Sequence, residues 1–247
     1  MLILTYHSIS DFGGPTSIPP AVFADQMRVL SDLGRRSLRL SEFIRWHEGC
    51  ETGEDESVLI TFDDAFEDFA RVAAPILQRH GFSALMFVPT QRVGSRENWL
   101  GASDPPHQLM DWATLRSLAE QGFEFGGHSR THVNLTKLPA AARETEIAGS
   151  ATDLAEQLCK PIEAFAAPYG RVSPEVLEAI GRHYRAGFGT HLGLPSRGQD
   201  RLNLPRIDMH YFRDTKRWAE LLRGRRHYLR VRQALRVIRS SVICTAY

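Results

Sequence analysis

Short apolar runs alternate along this chain with stretches in which apolar residues recur every three or four positions. The short runs predict strands at Leu2–His7, Val58–Phe62, Ala84–Val88, Phe123–Gly127, Ile162–Ala166, Tyr184–Gly189 and Leu204–Met209. The longer stretches predict helices at Ala21–Leu33, Phe66–Arg79, Trp112–Glu120, Ala140–Leu158 and Pro174–Arg182. Such alternation is typical of parallel strands with helices packed outside them. The pattern therefore predicts an α/β fold, a (β/α) barrel of about seven strands.

Glycines lie at or just past four predicted helix ends, at Gly34, Gly81, Gly122 and Gly181. A glycine tolerates the left-handed conformation that often ends a helix, so we expect a C-terminal cap at each of them.

The C-terminal segment differs from the rest. Between Arg213 and Arg239 it carries ten lysines and arginines against only Asp214 and Glu220. A stripe of apolar residues with helical spacing runs through it, formed by Tyr228, Val231, Leu235, Ile238 and Val242. We expect two domains, a barrel over 1–212 and a basic amphipathic helical extension over 213–247. The extension either packs on the barrel with a solvated basic face or attaches to an anionic membrane surface or a partner.

Composition and charge limit the binding partners and the cellular compartment that we expect for this protein. The 247 residues are 43% hydrophobic and carry a net charge of +1, so the body of the protein predicts no nucleic-acid partner. Cys50, Cys159 and Cys244 are scattered and lack CxxC spacing, which favours free thiols in a reducing compartment. No export signal or long apolar span is apparent. We therefore expect a cytoplasmic protein, with a peripheral position at the inner membrane face if the extension binds lipid.

Two segments carry the candidate chemistry. Asp63 and Asp64 follow the second predicted strand, and His128 and His132 follow the fourth. A catalytic metal site needs three protein ligands and an open position for water, and Asp64 with the two histidines would form a His2Asp set. Asp63 would then remain unligated. Strand ends of a parallel barrel converge on one face, so these side chains are expected to meet there.

Two further strand ends contribute candidates to the same face. The segment Phe165-Ala166-Ala167-Pro168-Tyr169-Gly170 follows the fifth predicted strand, and His7 ends the first. A lone histidine at a strand end is more often structural, but His7 would share the face that carries the paired aspartates.

These residues resemble the polysaccharide deacetylases of carbohydrate esterase family 4. Three motifs carry the resemblance: Thr61-Phe62-Asp63-Asp64, His128-Ser129-Arg130-Thr131-His132 and Pro168-Tyr169. Two further segments are similar to bacterial exopolysaccharide members: Tyr6-His7-Ser8-Ile9 and Leu204-Pro205-Arg206-Ile207. The resemblance covers about residues 1–212 and implies a distorted (β/α) barrel.

The resemblance also implies roles for individual residues. Asp63 would be the general base, and Asp64, His128 and His132 would bind a divalent cation, most often zinc. The backbone N–H of Tyr169 would help to hold the oxyanion, and a general acid would protonate the departing amine.

The general acid and a charge partner for the base stay open in the sequence. His7 is the preferred acid, His210 is its rival, and His191 is a third choice. Family members usually carry an arginine that pairs with the base where this chain has Ala166, and Arg206 could supply that charge instead.

The function implied is a metal-dependent hydrolase that removes an N-acetyl or other acyl group from an amino sugar. The substrate would be a bacterial surface polysaccharide, an oligosaccharide or a lipid-linked precursor. Two alternatives remain: an amidohydrolase of a small non-sugar amide, and a catalytically impaired carbohydrate-binding barrel. The sequence does not indicate an oligomeric state. It lacks the GxSxG elbow of many serine hydrolases.

Overall fold

The structure is a computed structural model that describes residues 1–14, 16–50, 56–99 and 101–244, with side chains described up to residue 238. Three side chains noted in the sequence, those of Arg239, Val242 and Cys244, lie outside this part, as do residues 245–247 of the predicted extension.

Seven parallel strands close into a barrel in the order in which they occur along the chain. They are β1 (Leu2–Tyr6), β2 (Val58–Phe62), β3 (Leu85–Val88), β4 (Glu124–Gly127), β5 (Ala164–Ala166), β6 (Ala186–Leu192) and β7 (Leu204–Asp208). The barrel closes between β1 and β7, where Leu4 lies opposite Ile207. It is distorted, because β4 and β5 share only the pair Gly127–Phe165 and the β6–β7 register shifts between Phe188 and Leu192. The predicted α/β barrel is confirmed.

Eight α-helices lie in the described part of the chain. They are α1 (Pro20–Asp32), α2 (Leu40–His47), α3 (Ala74–Arg79), α4 (Trp112–Glu120), α5 (Ala140–Leu158), α6 (Pro174–His183), α7 (Thr215–Leu222) and α8 (His227–Cys244). The sequence pattern did not predict α2, and the predicted helical extension over 213–247 is divided into α7 and α8. None of the helices in the described residues is both long and apolar enough to cross a bilayer.

The predicted helix over 66–79 is divided. A π-helical turn, Phe69–Ala73, precedes α3, and Pro75 lies in the first turn of α3. Proline has no N–H to donate to the carbonyl four residues earlier, so the wider turn accommodates it.

Three of the four predicted glycine caps are found. Gly34, Gly81 and Gly122 have φ values of +64°, +67° and +94°. The prediction for Gly181 is wrong, because this residue lies inside α6 and faces Leu202, where an added Cβ would come within 2.9 Å of a methyl carbon. Its role is close packing rather than termination.

Side chains that alternate along the strands divide the core between the barrel interior and the helical layer. The interior cluster includes Ile3, Leu59, Phe87 and Phe188, which are almost fully buried. The ring of Phe43 on α2 joins this cluster at 6.0 Å from the Phe188 ring. Because Ser37, just before α2, pairs with Val58 at the start of β2, α2 covers the N-terminal end of the barrel and leaves the other end for the site.

The segment after residue 212 contacts the barrel through two helices. Trp218 of α7 is fully buried and donates from its indole N–H to the carbonyl of Gln26 on α1, at 3.1 Å. In α8, Leu229 is buried and the Gln233 amide donates to the carbonyl of Leu192, at 2.9 Å. The division of the chain into two domains at residue 212 stays a prediction.

Most of the apolar stripe of α8 faces away from the barrel. Tyr228 faces inward, with its ring 5.4 Å from that of Phe212. Val231, Leu235 and Ile238 are 41%, 51% and 59% exposed. The guanidinium of Arg232 instead lies over the Tyr211 ring at 4.1 Å, so part of the basic face is turned toward the barrel. Helix α8 therefore packs on the barrel through Tyr228, Leu229 and Gln233, while most of its apolar stripe faces outward.

Candidate metal and catalytic site

The candidate residues follow the carboxyl ends of strands at one face of the barrel. Asp63 and Asp64 come directly after β2, and the turn 128–132 comes after β4. Tyr169 lies in a short 3₁₀ turn after β5, and His7 follows β1. Arg206 lies within β7 itself, with its side chain inside the barrel and only 2% exposed. Parallel strands bring all of these side chains to one face, where barrel enzymes carry their active sites.

Asp64, His128 and His132 form a compact, buried set of potential metal ligands. The Nε2 atoms of His128 and His132 lie 3.4 and 3.2 Å from Oδ1 of Asp64. One ligand atom from each residue lies within 4.8 Å of the other two. These spacings suit three ligands arranged around a single ion at about 2 Å from each.

The hydrogen bonds of these three potential ligands also indicate a cation site. Oδ1 of Asp64 is buried and has no hydrogen-bond partner among the described residues. Nδ1 of His128 lies 2.7 Å from the carbonyl of Ala166, which assigns that nitrogen as the donor and leaves Nε2 with its lone pair toward Asp64. A buried carboxylate oxygen without a donor is energetically unfavourable unless a positive charge compensates it. Asp64, His128 and His132 therefore fit a divalent metal ion.

The pKa values of Asp64, His128 and His132 follow from their burial and from the neighbouring charged groups. Burial acts to raise the pKa of Asp64, but the adjoining imidazoles of His128 and His132 outweigh it and hold that pKa well below its usual value. Burial lowers the pKa of His132, which favours the neutral, metal-ligating form. Burial acts in the same sense on His128, but there Asp64 and Asp63 prevail and raise the pKa. The cluster thus favours a positive charge at its centre.

The backbone at the site is strained. Five of the six non-glycine residues with positive φ in the described chain lie here: Asp64 (77°), Ala65 (57°), Ser129 (59°), His132 (60°) and Tyr169 (60°). Each such conformation costs of the order of 1–3 kcal/mol and persists only where the surrounding structure imposes it. Strain of this kind clusters where side chains must be aimed for function.

Polar contacts from α5 hold the turn 128–132 in this conformation. The Glu146 carboxylate accepts hydrogen bonds from the backbone N–H groups of Arg130 and Thr131, at 2.8 and 2.9 Å, and from the Thr131 hydroxyl. Asp153 accepts two hydrogen bonds from the Arg130 guanidinium at 2.9 Å. Within the turn, Ser129 Oγ accepts from the N–H of His132 at 2.9 Å. The two histidines are therefore aimed by neighbouring residues that do not touch the metal position.

Arg206 forms a two-pronged ion pair with Asp63. Its Nη1 and Nη2 atoms each lie 2.7 Å from one carboxylate oxygen of Asp63. Nε donates to the carbonyl of Gly189 at 2.8 Å, and Nη1 also donates to Thr61 Oγ1 at 3.1 Å. Burial acts to raise the pKa of Asp63, but the charge and hydrogen bonds of Arg206 outweigh it, so the pKa lies below its usual value. Asp63 is thus ionised and fixed in orientation, although β5 carries Ala166 where the family usually has an arginine.

His7 is the histidine that lies beside Asp63. Its Nε2 is 3.8 Å from Asp63 Oδ2, and its side chain is 28% exposed, so it faces both the carboxylate and the site opening. The loop that carries it is fixed by Asp68, which accepts from the Ser8 hydroxyl at 2.6 Å and from the N–H of Ile9 at 3.0 Å.

The other two candidate acids lie apart from this arrangement. His210 lies in the 3₁₀ turn Met209–Phe212, and it forms no described hydrogen bond or ion pair with Asp63 or the three candidate ligands. Burial, with the charge of Arg213, lowers the pKa of His210. His191 is exposed near the end of β6. The geometry therefore favours His7 among the three.

Aromatic rings form the wall around the metal position. The ring of Tyr169 lies 4.8 Å from that of His132, and its hydroxyl donates to the His132 carbonyl at 3.3 Å. The ring of Trp99 lies 4.2 Å from His132 on another side. Sequence reasoning did not single out Trp99, Glu146 or Thr61. Thr61 lies within the first motif, but neither Trp99 nor Glu146 carries a local signal, because both act through contacts between distant segments.

Comparison with known proteins agrees with this geometry. Residues 51–185 match the family model described as polysaccharide deacetylase. A Bacillus subtilis (strain 168) protein named as a polysaccharide deacetylase, YxkH, is 28% identical over 206 residues, which span 83% of this chain and 70% of that protein.

Solved structures share the fold. The Streptococcus pyogenes deacetylase PplD, in complex with acetate, superposes with a TM-score of 0.75 at 26% identity, covering 84% of this chain and 91% of that one. IcaB from Ammonifex degensii superposes with a TM-score of 0.76 at 22% identity, covering 89% and 96% of the two chains. With a family model matched over more than half of its length, this chain belongs to the polysaccharide deacetylase family.

Proposed function

We propose that this protein is a metal-dependent N-deacetylase that removes the acetyl group from an amino sugar. The substrate would be a bacterial surface polysaccharide, an oligosaccharide or a lipid-linked precursor. The observation that carries the proposal is the buried set of Asp64, His128 and His132 beside an Asp63 that Arg206 fixes in place. Family membership and the likeness to a deacetylase of known structure support the same reaction class.

Asp64, His128 and His132 would hold the cation, for which the His2Asp donor set favours zinc. Such an ion lowers the pKa of bound water and polarises the acyl carbonyl.

Asp63 takes the proton of the attacking water in this proposal. A carboxylate that is ionised near neutral pH can act as a general base if it is held within reach of the water. The two hydrogen bonds from Arg206 fix the plane of the carboxylate, and Arg206 is itself anchored to Gly189 and Thr61. Asp63 therefore enters the reaction already charged and oriented.

His7 delivers the proton to the departing amine. An amide anion is too poor a leaving group to depart, so the nitrogen must be protonated as the C–N bond breaks. Histidine is the side chain that most often transfers protons in enzymes, and His7 is accessible from the site opening beside Asp63. The backbone N–H of Tyr169, in the turn that packs against His132, is proposed to stabilise the oxyanion.

Acetate release from N-acetylglucosamine oligomers and from cyclic amides, with and without a chelator, tests the proposal. We expect release from the saccharides alone, loss of release with the chelator, and recovery on adding zinc. Preferential turnover of the cyclic amides would instead support the non-sugar amidohydrolase. Saccharide binding without release at any metal concentration would support an impaired binding protein.

Two variants separate metal binding from proton transfer. Asp63→Asn is expected to abolish turnover and keep the bound metal, whereas His128→Ala should lose the metal. Metal content by mass spectrometry and acetate release on the same preparations give both readouts. A near-normal rate in Asp63→Asn would remove the assignment of Asp63 as the base.

The cytoplasmic location stays a prediction.

A further inference from the structure

The outer face of α8 is an apolar stripe that nothing in the described protein covers. Val231, Leu235 and Ile238 follow one another at spacings of four and three, so they lie on one side of the helix. All three are among the few large apolar side chains of the described residues that are strongly exposed. A contiguous apolar stripe on a surface helix usually marks a contact with a membrane or a partner.

The inner face of the same helix fixes its orientation. Leu229 is buried, Tyr228 packs on Phe212, and Arg232 lies over Tyr211. The Gln233 amide is bonded to the carbonyl of Leu192 at the end of β6. The outward direction of the stripe is therefore set by contacts made on the opposite side of α8.

Positive charge lies on α8 and in the segment just before it. Arg223, Arg226 and Arg230 are exposed, and none of their guanidinium groups forms an ion pair within the described residues. Helix α8 contains no aspartate or glutamate. An exposed apolar stripe on a helix that carries arginines and no carboxylates is the pattern of a helix that lies in the interface of an anionic bilayer.

A second copy of this chain fits the stripe less well. Pairing two α8 helices through the stripe would bring Arg230 and its neighbours close to their copies with no carboxylate on either helix to compensate them. Three apolar side chains also fall far below the roughly 20–30 residues per partner of a standard interface.

We propose that α8 docks this protein on an anionic phospholipid surface through Val231, Leu235 and Ile238, with Arg223, Arg226 and Arg230 contacting lipid phosphates. Docking would also determine where the catalytic face lies relative to the bilayer. On its inner side, Gln233 and Arg236 of α8 line a cleft of about 480 Å³ together with Gly170, which directly follows Tyr169. The edge of the catalytic site would therefore lie close to the bilayer, which suits an acetylated glycan attached to lipid. This last consequence rests on the proposed function, whereas the docking does not.

Vesicle sedimentation tests the docking with the full chain. Vesicles of phosphatidylcholine alone are compared with vesicles that also contain phosphatidylglycerol. The unmodified protein should bind the anionic vesicles more tightly, and added salt should weaken that binding. The double variant Leu235→Asp/Ile238→Asp should bind at least about tenfold more weakly, since it replaces inserted apolar groups by charges that the lipid repels.

An arginine variant and a matched control complete the test. Arg223→Ala/Arg226→Ala/Arg230→Ala should also weaken binding to anionic vesicles by at least about tenfold, because each arginine adds electrostatic attraction to the anionic surface. Arg28→Ala/Arg71→Ala/Arg79→Ala removes the same charge from exposed positions on other helices and should leave binding close to normal.

Unchanged partitioning of the stripe variant would overturn the proposal. A second result would also overturn it: light scattering shows that the unmodified protein is a dimer and the stripe variant a monomer, and the unmodified protein does not bind vesicles. Acetate release from a soluble saccharide should be equal in all of these variants. Failure of docking with activity intact would therefore refute the docking alone, and an inactive protein that still docks would refute the proposed function alone.

Discussion

At the scale of single residues, the ion pair between Arg206 and Asp63 determines the charge and the orientation of the Asp63 carboxylate. Both side chains are buried, and their carboxylate–guanidinium contacts lie at 2.7 Å. Removing one partner of a buried pair leaves the other charge without compensation, which is far more destabilising than the pair itself is stabilising. Stability and catalysis are therefore coupled at this pair.

We expect Arg206→Met to lower the free energy of unfolding by about 3–5 kcal/mol, because it leaves the Asp63 carboxylate buried and unpaired. Urea unfolding followed by circular dichroism measures the change. Arg206→Met/Asp63→Asn removes both charges and should regain a large part of this stability while staying inactive. A double variant no more stable than the single one would show that Arg206 acts through packing rather than through charge.

The choice between His7 and His210 belongs to the same scale. His7→Ala should lower the rate of acetate release by about 10²–10⁴-fold, as expected for a general acid, with metal content unchanged. His210→Ala serves as the comparison and should have a much smaller effect, because His210 forms no hydrogen bond or ion pair with Asp63 among the described residues. A larger loss in His210→Ala would transfer the acid role to that residue.

At the scale of elements, helix α5 supports the metal site without contributing a ligand. Glu146 and Asp153 on its surface bind the turn 128–132, and Asp153 also accepts from the Thr90 hydroxyl at 2.6 Å. The left-handed conformations of Ser129 and His132 depend on this support.

Glu146→Ala should weaken zinc binding by about 10–100-fold, the range found when outer hydrogen-bond partners of metal ligands are lost. Competition with a chromophoric chelator measures the affinity. Glu156→Ala removes an exposed carboxylate from the same helix and should leave zinc affinity unchanged. Equal affinities in the two variants would show that the turn holds its conformation without Glu146.

At the scale of the whole molecule, the barrel and its end-covering helix are joined by a carboxyl group with a perturbed pKa. Glu124 at the start of β4 accepts from the N–H of Leu40 at the start of α2, at 2.9 Å. Burial raises the pKa of Glu124, with the hydrogen bond from Leu40 acting in the opposite sense. Because the folded pKa lies above the unfolded one, the fold favours the protonated acid.

Glu124→Gln should therefore be more stable than the unmodified protein at neutral pH and lose that advantage in acid. The stability supplied by protonated Glu124 is full below its unfolded pKa and disappears as pH rises through the higher folded pKa. Glutamine keeps an oxygen for the Leu40 N–H and cannot ionise. Thermal unfolding of both proteins across this range measures the difference, and a difference independent of pH would exclude Glu124 as its source.

Local patterning was sufficient to predict the barrel. Short apolar runs located all seven strands, and period-3.6 patterns located six of the eight α-helices of the described residues, α1, α3 to α6 and α8, because each strand is buried and most of those helices have one clear apolar face. Helix α2 was missed because it is short, and the division of the predicted helical extension into α7 and α8 was missed because the many arginines and lysines hide the few buried residues such as Trp218. The paired aspartates and the two histidines were also found from their placement after strands.

Contacts between distant segments were not determined by sequence patterning. Only the closed barrel brings Arg206 to Asp63, because the two residues lie 143 positions apart and on different strands. The outward turn of the α8 stripe likewise follows from contacts on its other face, since a helix with both apolar and basic faces can pack either way. Periodicity specifies which residues share a face, whereas the direction of that face depends on the rest of the folded chain.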